Sequence, residues 1–255
     1  MELFDLAGKI AIVTGSSRGI GKAIATRLAE HGASVVISSR NAEPCAEVAT
    51  GINKAYGKGR AISIPANISS KEALQALVAE TRRQLGPIDI LVCNAASNPY
   101  YGPISGIDDG AFEKILRNNI ISNHWLIQAA VPDMIERKDG SIIIVSSIGG
   151  LTGSPLLGAY NISKAGDLAL ARNLASEYGR YNIRANCICP GLIKTDFARA
   201  LWENPQMLKH VTEGVPLGRI GEPDEIAGCA VFLASPAGRF ATGQHFIIDG
   251  GVMCV

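Results

Sequence analysis

Tyr160 and Lys164 stand four residues apart, downstream of Ser147. If the stretch is helical, the phenol and the ammonium share one face. A free phenol titrates near about 10, whereas a general acid works best near the working pH. An ammonium beside it in a partly dry site favours the phenolate and makes the phenol a usable acid. A serine hydroxyl ahead of the pair could orient a carbonyl or alcohol oxygen. The chemistry this trio suits is proton transfer at oxygen. Read alone, a Tyr and Lys four apart also describe an ordinary exposed amphipathic pair, so the rest of the chain must decide.

The elements that would position the trio follow from apolar patterning. Ile142, Ile143, Ile144 and Val145 read as a buried strand leading to Ser147, and Ala165 to Ala175 read as a helix carrying Tyr160 and Lys164 near its start. Upstream, strands are expected at Lys9 to Thr14, Ser34 to Ser39, Arg60 to Pro65 and Ile88 to Cys93. Helices are expected at Lys22 to Glu30, Ala46 to Tyr56 and Lys71 to Leu85. A helical tract from Asp109 to Arg137 should be interrupted or bent at Pro132. Strands Ser141 to Ser146, Arg184 to Cys189 and His245 to Ile248, an irregular region from Pro190 to Gly221 and a helix from Pro223 to Ala234 complete the chain. Strands alternating with helices predict an α/β fold with a doubly wound parallel sheet, ligands lying beyond the carboxyl ends of the strands. No linker-like tract or internal repeat divides it, so one domain spanning residues 1 to 255 is expected.

Composition narrows the function. The chain has 255 residues, 47% of them hydrophobic, and a formal net charge of +1, which gives no reason to expect nucleic acid or an acidic membrane surface as partner. The six cysteines lack C-x-x-C spacing and the four histidines are scattered, so reduced thiols and no metal site are expected. The amino terminus lacks the pattern of a signal peptide, and no apolar run approaches the roughly 18 residues of a membrane span. A cytoplasmic protein is the expectation.

After the first strand comes Thr14-Gly15-Ser16-Ser17-Arg18-Gly19-Ile20-Gly21. Glycines at 15, 19 and 21 let the backbone turn tightly and bring a pyrophosphate onto free N–H groups at a helix start, although the spacing departs from G-x-G-x-x-G. A carboxylate at the end of the second strand would bind the adenosine ribose diol; this chain has Ser39 and Arg40 there, with Arg18 in the turn. Guanidinium groups and a hydroxyl suit a 2′-phosphate, so NADP is preferred over NAD.

With the glycine turn, Asn94-Ala95-Ala96, Asn119, Ser147 and Tyr160-Asn161-Ile162-Ser163-Lys164 in order, the chain resembles the classical short-chain dehydrogenase/reductase family over nearly its whole length. The resemblance implies a Rossmann-type sheet of seven strands and a homotetramer. It implies that Tyr160 is the general acid/base, that Lys164 lowers its pKa and binds the nicotinamide ribose, that Ser147 positions the substrate oxygen, and that Asn119 holds a water for the proton relay. Asn118 is adjacent and could fill that place; the following Ile120 favours Asn119. For the cofactor the resemblance implies Gly15, Ser17, Arg18, Gly19, Ile20 and Gly21, then Ser39, Arg40, Asn67, Ile68, Asn94 and Ala95. Pro190, Gly191, Ile193 and Thr195 look like the carboxamide clamp. Asn67 stands where an aspartate is more usual, and its amide can still offer an acceptor to the adenine amino group.

Within the family the segments Ser38-Ser39-Arg40, Asn98-Pro99, Gly102-Pro103-Ile104 and Pro190 to Phe197 ahead of Leu201-Trp202 are similar to NADPH-dependent carbonyl and retinal reductases. The pocket is expected from Asn98, Tyr100, Tyr101, Leu151 to Leu157, Phe197, Leu201, Trp202, Met207 and Leu208, around Ser147 and Tyr160. Such a lining suits apolar ketones, aldehydes or dicarbonyls, with residues 190 to 221 as a lid. Trp202 and Phe197 would serve equally in core or interface packing. Three other readings stay open: a 3-oxoacyl-thioester reductase, an NAD-dependent alcohol oxidiser, and a Rossmann-type redox sensor without turnover.

Overall fold

The computed structural model describes residues 2–254. Seven parallel strands form one sheet in the order β3-β2-β1-β4-β5-β6-β7: β1 Ile10–Thr14, β2 Ser34–Ser38, β3 Ala61–Ser63, β4 Ile90–Cys93, β5 Gly140–Val145, β6 Ile183–Pro190 and β7 His245–Ile248. The order reverses between β1 and β4, which pair directly through Ala11↔Ile90, Ile12↔Leu91 and Val13↔Val92. Both faces are covered, so the central strands are apolar throughout rather than alternating. Val13, Val35, Ile37, Ile143 and Val145 point to one side, where α1 Gly19–Glu30, α2 Ala42–Tyr56 and α9 Pro223–Ala234 pack. Their neighbours Ile12, Val36, Ile142 and Ile144 point to the other, onto α3 Lys71–Gln84, α5 Ser122–Arg137 and α6 Gly158–Tyr178.

Three local expectations change. Helix α2 starts at Ala42 rather than Ala46, because Pro44 falls in its first turn, where a missing N–H costs no helical bond. The tract expected as one helix with a break at Pro132 is α4 Asp109–Leu116, a π-helical turn Arg117–Ile121, and α5, which runs through Pro132. The irregularity therefore lies at Asn118 and Asn119, not at the proline. The region from Pro190 to Gly221, expected to be irregular, holds a 3-10 turn Asp196–Ala198, a short helix α7 Arg199–Trp202 and α8 Pro205–Glu213. Asn204 caps α8 by accepting from the N–H groups of Gln206 and Met207, with Pro205 at the first helical position.

Among the described residues no helix is long and apolar enough to cross a membrane, and no group of three or more His, Cys, Asp or Glu could hold a metal ion. All six cysteines are free.

Candidate active site

β1 delivers the glycine turn to the carboxyl edge of the sheet. Gly15 and Gly19 have φ of +64° and +56°, left-handed values that side chains resist. A Cβ on Gly15 would stand 2.8 Å from Asn94 Nδ2, and one on Gly21 would stand 2.5 Å from the Gly15 carbonyl oxygen. Asn94 braces the turn by donating to the carbonyls of Thr14 at 2.9 Å and Gly15 at 3.2 Å, while Thr14 Oγ1 accepts the N–H groups of Asn94 and Ala95. Ser16 is buried and joins β1 to β2 by donating to Val13 O and accepting from Ser38 N. Half-buried Ser17 and Ile20 flank the first turn of α1, whose N–H groups lack upstream helical acceptors. This cradle fits a pyrophosphate. Gly21→Ala is expected to destabilise the fold by about 1–3 kcal/mol and to weaken NADPH binding, because the methyl displaces both the turn and Asn94; thermal melts and fluorescence titration measure the two effects.

Ser39 follows β2, within 3.0 Å of Cys45 Sγ, and Arg40 beside it is exposed. Arg18 is 72% exposed and bonded to Asp196 at 3.3 Å, so the turn and the 190–221 region are joined by an ion pair that a cofactor phosphate must compete with. Asn67 is exposed, and its Oδ1 accepts from Ser69 N at 3.1 Å, which occupies one of the two lone pairs expected to face adenine. Ile68 packs against the second core. Thr195 closes over the glycine turn, its Cγ2 being 3.3 Å from where a Cβ on Gly19 would lie. Pro190 ends β6, Gly191 donates to Ile248 O at 3.0 Å with no room for a Cβ against Asp249, and buried Ile193 bridges to Gly221.

Ser147 leaves β5 in an extended conformation and caps the next 3-10 turn, accepting from Gly149 N at 3.0 Å. Its O–H remains free to donate. Tyr160 lies half-buried in the first turn of α6, and the Lys164 ammonium is 5.7 Å from its ring centroid. Lys164 is buried and donates to Val145 O at 2.9 Å and to Asp167 at 3.0 Å. α6 is locked against β5 by Ser146 Oγ donating to Lys164 O at 2.9 Å. The π turn places Asn119 beside this helix: its Nδ2 donates to Ser163 Oγ at 3.0 Å and to Ser97 O, while its Oδ1 accepts from Ser97 N. Asn118 faces elsewhere, bonded to Ser69 and Ser97. Both amide hydrogens of Asn119 are thereby used and its Oδ1 holds one bond, while its backbone carbonyl accepts from Asn123 Nδ2 at 2.7 Å.

Two loops flank Tyr160 and are joined by Gly102 N donating to Leu156 O at 2.9 Å. Tyr100 spends its hydroxyl on Pro103 O, and Leu157 caps α6. Phe197 is 61% exposed with its ring 6.2 Å from that of Tyr160. Trp202 turns its indole N–H back onto Thr195 O at 2.8 Å, so its polar edge braces the clamp. Asn98 Oδ1 is buried without a partner. Two buried groups beside the trio carried no expectation from sequence, Asp167 and Asn123; an acid in the apolar stripe of α6 is the signal that could have found the first.

Residues 15–253 match the family profile described as enoyl-(acyl carrier protein) reductase. The chain is 40% identical over 247 residues to "Dehydrogenase/reductase SDR family member 4" of Bos taurus, covering 96% of this chain and 88% of that protein. Among solved structures it is similar to a gluconate 5-dehydrogenase from Burkholderia cenocepacia in complex with NADP and tartrate, with 32% identity, a TM-score of 0.94, and coverage of 100% of this chain and 98% of that one. It is also similar to a 7 alpha-hydroxysteroid dehydrogenase complexed with NADH and 7-oxo glycochenodeoxycholic acid, with 34% identity, a TM-score of 0.93, and coverage of 98% and 96%. Sheet order, glycine turn and matched relatives agree, and the chain belongs to the short-chain dehydrogenase/reductase family of oxidoreductases acting on the CH–OH/C=O pair.

Proposed function

We propose that this protein reduces apolar ketones, aldehydes or dicarbonyls with NADPH, Tyr160 being the proton donor. The observation that carries the reading is the half-buried Tyr160 beside the buried Lys164 ammonium, at the sheet edge where the glycine turn lies. NADPH supplies the hydride when bound. Ser147 shares the substrate oxygen through its free O–H, Tyr160 gives its proton to that oxygen, and Lys164 offers its third N–H to a ribose hydroxyl. The Asn119 carbonyl holds the water that returns the proton. Positioning by these groups supplies much of the rate. Ser39 and Arg40 at the end of β2, with no carboxylate beside them, support NADPH over NADH, and Arg18 joins them once it leaves Asp196.

Arg40→Ala is expected to weaken NADPH binding by about tenfold to a hundredfold, the worth of a charge-assisted hydrogen bond, and to leave NADH binding unchanged. Parallel fluorescence titrations check this. Equal losses for both cofactors would remove Arg40 from the phosphate site.

A polar hydroxy acid or its keto form is a second reading. The unpartnered Asn98 oxygen favours it, as does the solved relative holding NADP and tartrate. Turnover of a panel of apolar ketones, sugar-derived keto acids and a 3-oxoacyl thioester decides: the first reading predicts the highest kcat/KM for the apolar ketones. Residues 1–255 act as one domain, with α7 and α8 as the lid. Exposed Ile121 and Ile162, beside α5 and on α6, support burial of these helices between subunits of a homotetramer, and a cytoplasmic location fits the six reduced thiols.

A further inference from the structure

Asp167 is fully buried, one turn after Lys164, and its Oδ2 accepts from the lysine at 3.0 Å. Its Oδ1 accepts from Asn123 Nδ2 at 3.0 Å, and the same amide donates to the Asn119 carbonyl at 2.7 Å. The ammonium of Lys164 thus connects through one carboxylate and one amide to the relay carbonyl in the π turn. Taking two charges out of water is costly, and replacing such a pair by apolar side chains is often neutral or stabilising, so packing alone gives no reason for an acid here. We propose that Asp167 is the positioning residue that keeps the Lys164 ammonium charged and aimed at Tyr160, and that Asn123 fixes this carboxylate to the proton relay.

Charge supports the geometry. Burial works against the Lys164 ammonium, and the Asp167 carboxylate, together with Tyr160 and Cys187, more than offsets it, holding the lysine above its ordinary value. Burial raises the Asp167 carboxyl, opposed by Lys164 and Asn123. The other titratable groups facing the pair are Tyr160 on α6, Cys93 on β4, and Cys187 and Cys189 on β6. Burial pushes the Cys189 thiol up to about 11 and those of Cys93 and Cys187 well above the ordinary thiol range, so all three are neutral in the working range. Arg172, which bears on Cys187, is the remaining charge near this cluster. Asp167 is the only carboxylate among these groups, and without it the largest opposition to burial at Lys164 is gone.

The inference rests on the proposed roles of Tyr160 and Lys164, but its first test is independent of turnover. Lysine side chains labelled with nitrogen-15 are titrated by NMR in the wild type and in Asp167→Asn, with Lys164→Arg assigning the signal. In the wild type Lys164 should keep its proton at least as far into the alkaline range as a free lysine does; in Asp167→Asn it should lose it at least about one unit lower. Identical titrations would overturn the proposal, whether or not the protein reduces carbonyls. The second test is kcat/KM against pH at saturating NADPH. Asp167→Asn should approach wild-type turnover at the acid end and fall about tenfold or more as pH rises through the new lysine limb, with Asp167→Glu restoring part of the profile. A loss equal at every pH would mark a merely structural role and overturn the proposal. A wild type without turnover, beside a shifted lysine titration, would sink the reductase reading and leave the counter-ion role standing.

Discussion

Tyr160→Phe is expected to lower kcat for carbonyl reduction by about 10²–10⁴-fold and to leave NADPH affinity unchanged. The substitution removes one hydroxyl and keeps the ring, so the contact with Phe197, 6.2 Å away between centroids, persists. None of the bonds that fold this region uses the phenol: α6 is held through Ser146 to the Lys164 carbonyl and through Asn119 to Ser163, whose hydroxyl donates to the Tyr160 backbone carbonyl. The loss should therefore be one of rate with no loss of stability, and steady-state kinetics with a thermal melt separates the two. Substantial turnover in Tyr160→Phe would assign the proton to another donor, with Ser147, the other hydroxyl proposed at the substrate oxygen, the first candidate.

The second large effect is on folding. Lys164→Ala removes the cation from a buried pair in which the lysine side chain is 3% exposed and the carboxylate 0%. An uncompensated buried charge destabilises by about 3–5 kcal/mol, and a cavity from the lost lysine stem adds to it. Denaturant unfolding should show the loss at neutral pH. The burial-raised carboxyl gives the sign of the pH dependence: the variant's deficit should shrink as pH falls and Asp167 takes up a proton. The double variant Lys164→Met, Asp167→Leu should regain most of the stability, since apolar residues of similar volume fill the space, while remaining inactive. A double variant as unstable as Lys164→Ala would mean the pair is not where the stability is lost.

What the sequence made legible, and what it hid, divides along physical lines. Strand and helix order follow from apolar runs such as Ile142 to Val145, which are buried on both faces and have no competing reading. Lys164 and Tyr160 are local to one helix, so their spacing alone places them together. The glycine turn is likewise local, with strand and helix on either side. The π turn at Asn118 and Asn119 left no mark, because one extra residue in a helical turn does not disturb apolar periodicity over a tract of this length. Pro132 drew attention to the wrong place in that tract. Helices α7 and α8 are short enough to escape a periodicity argument, although Asn204-Pro205 is a legible start. Contacts between elements far apart in the chain, such as Thr195 against Gly19 or Asn123 against Asp167, depend on crossovers that no spacing encodes. Asp167 itself was visible as an acid in line with Leu168, Ala171 and Leu174, all buried on the inner face of α6.

The measurement closest to the central claim follows deuterium from the nicotinamide ring. The purified protein is given NADPH labelled on that ring together with the best ketone of the panel, and the product alcohol is examined by mass spectrometry. The proposed function predicts one deuterium at the carbinol carbon for each NADPH oxidised, with the rate of transfer lowered about 10²–10⁴-fold in Tyr160→Phe. Tight NADPH binding without labelled alcohol from any ketone, keto acid or 3-oxoacyl thioester would contradict it and make the protein a nucleotide-responsive binder.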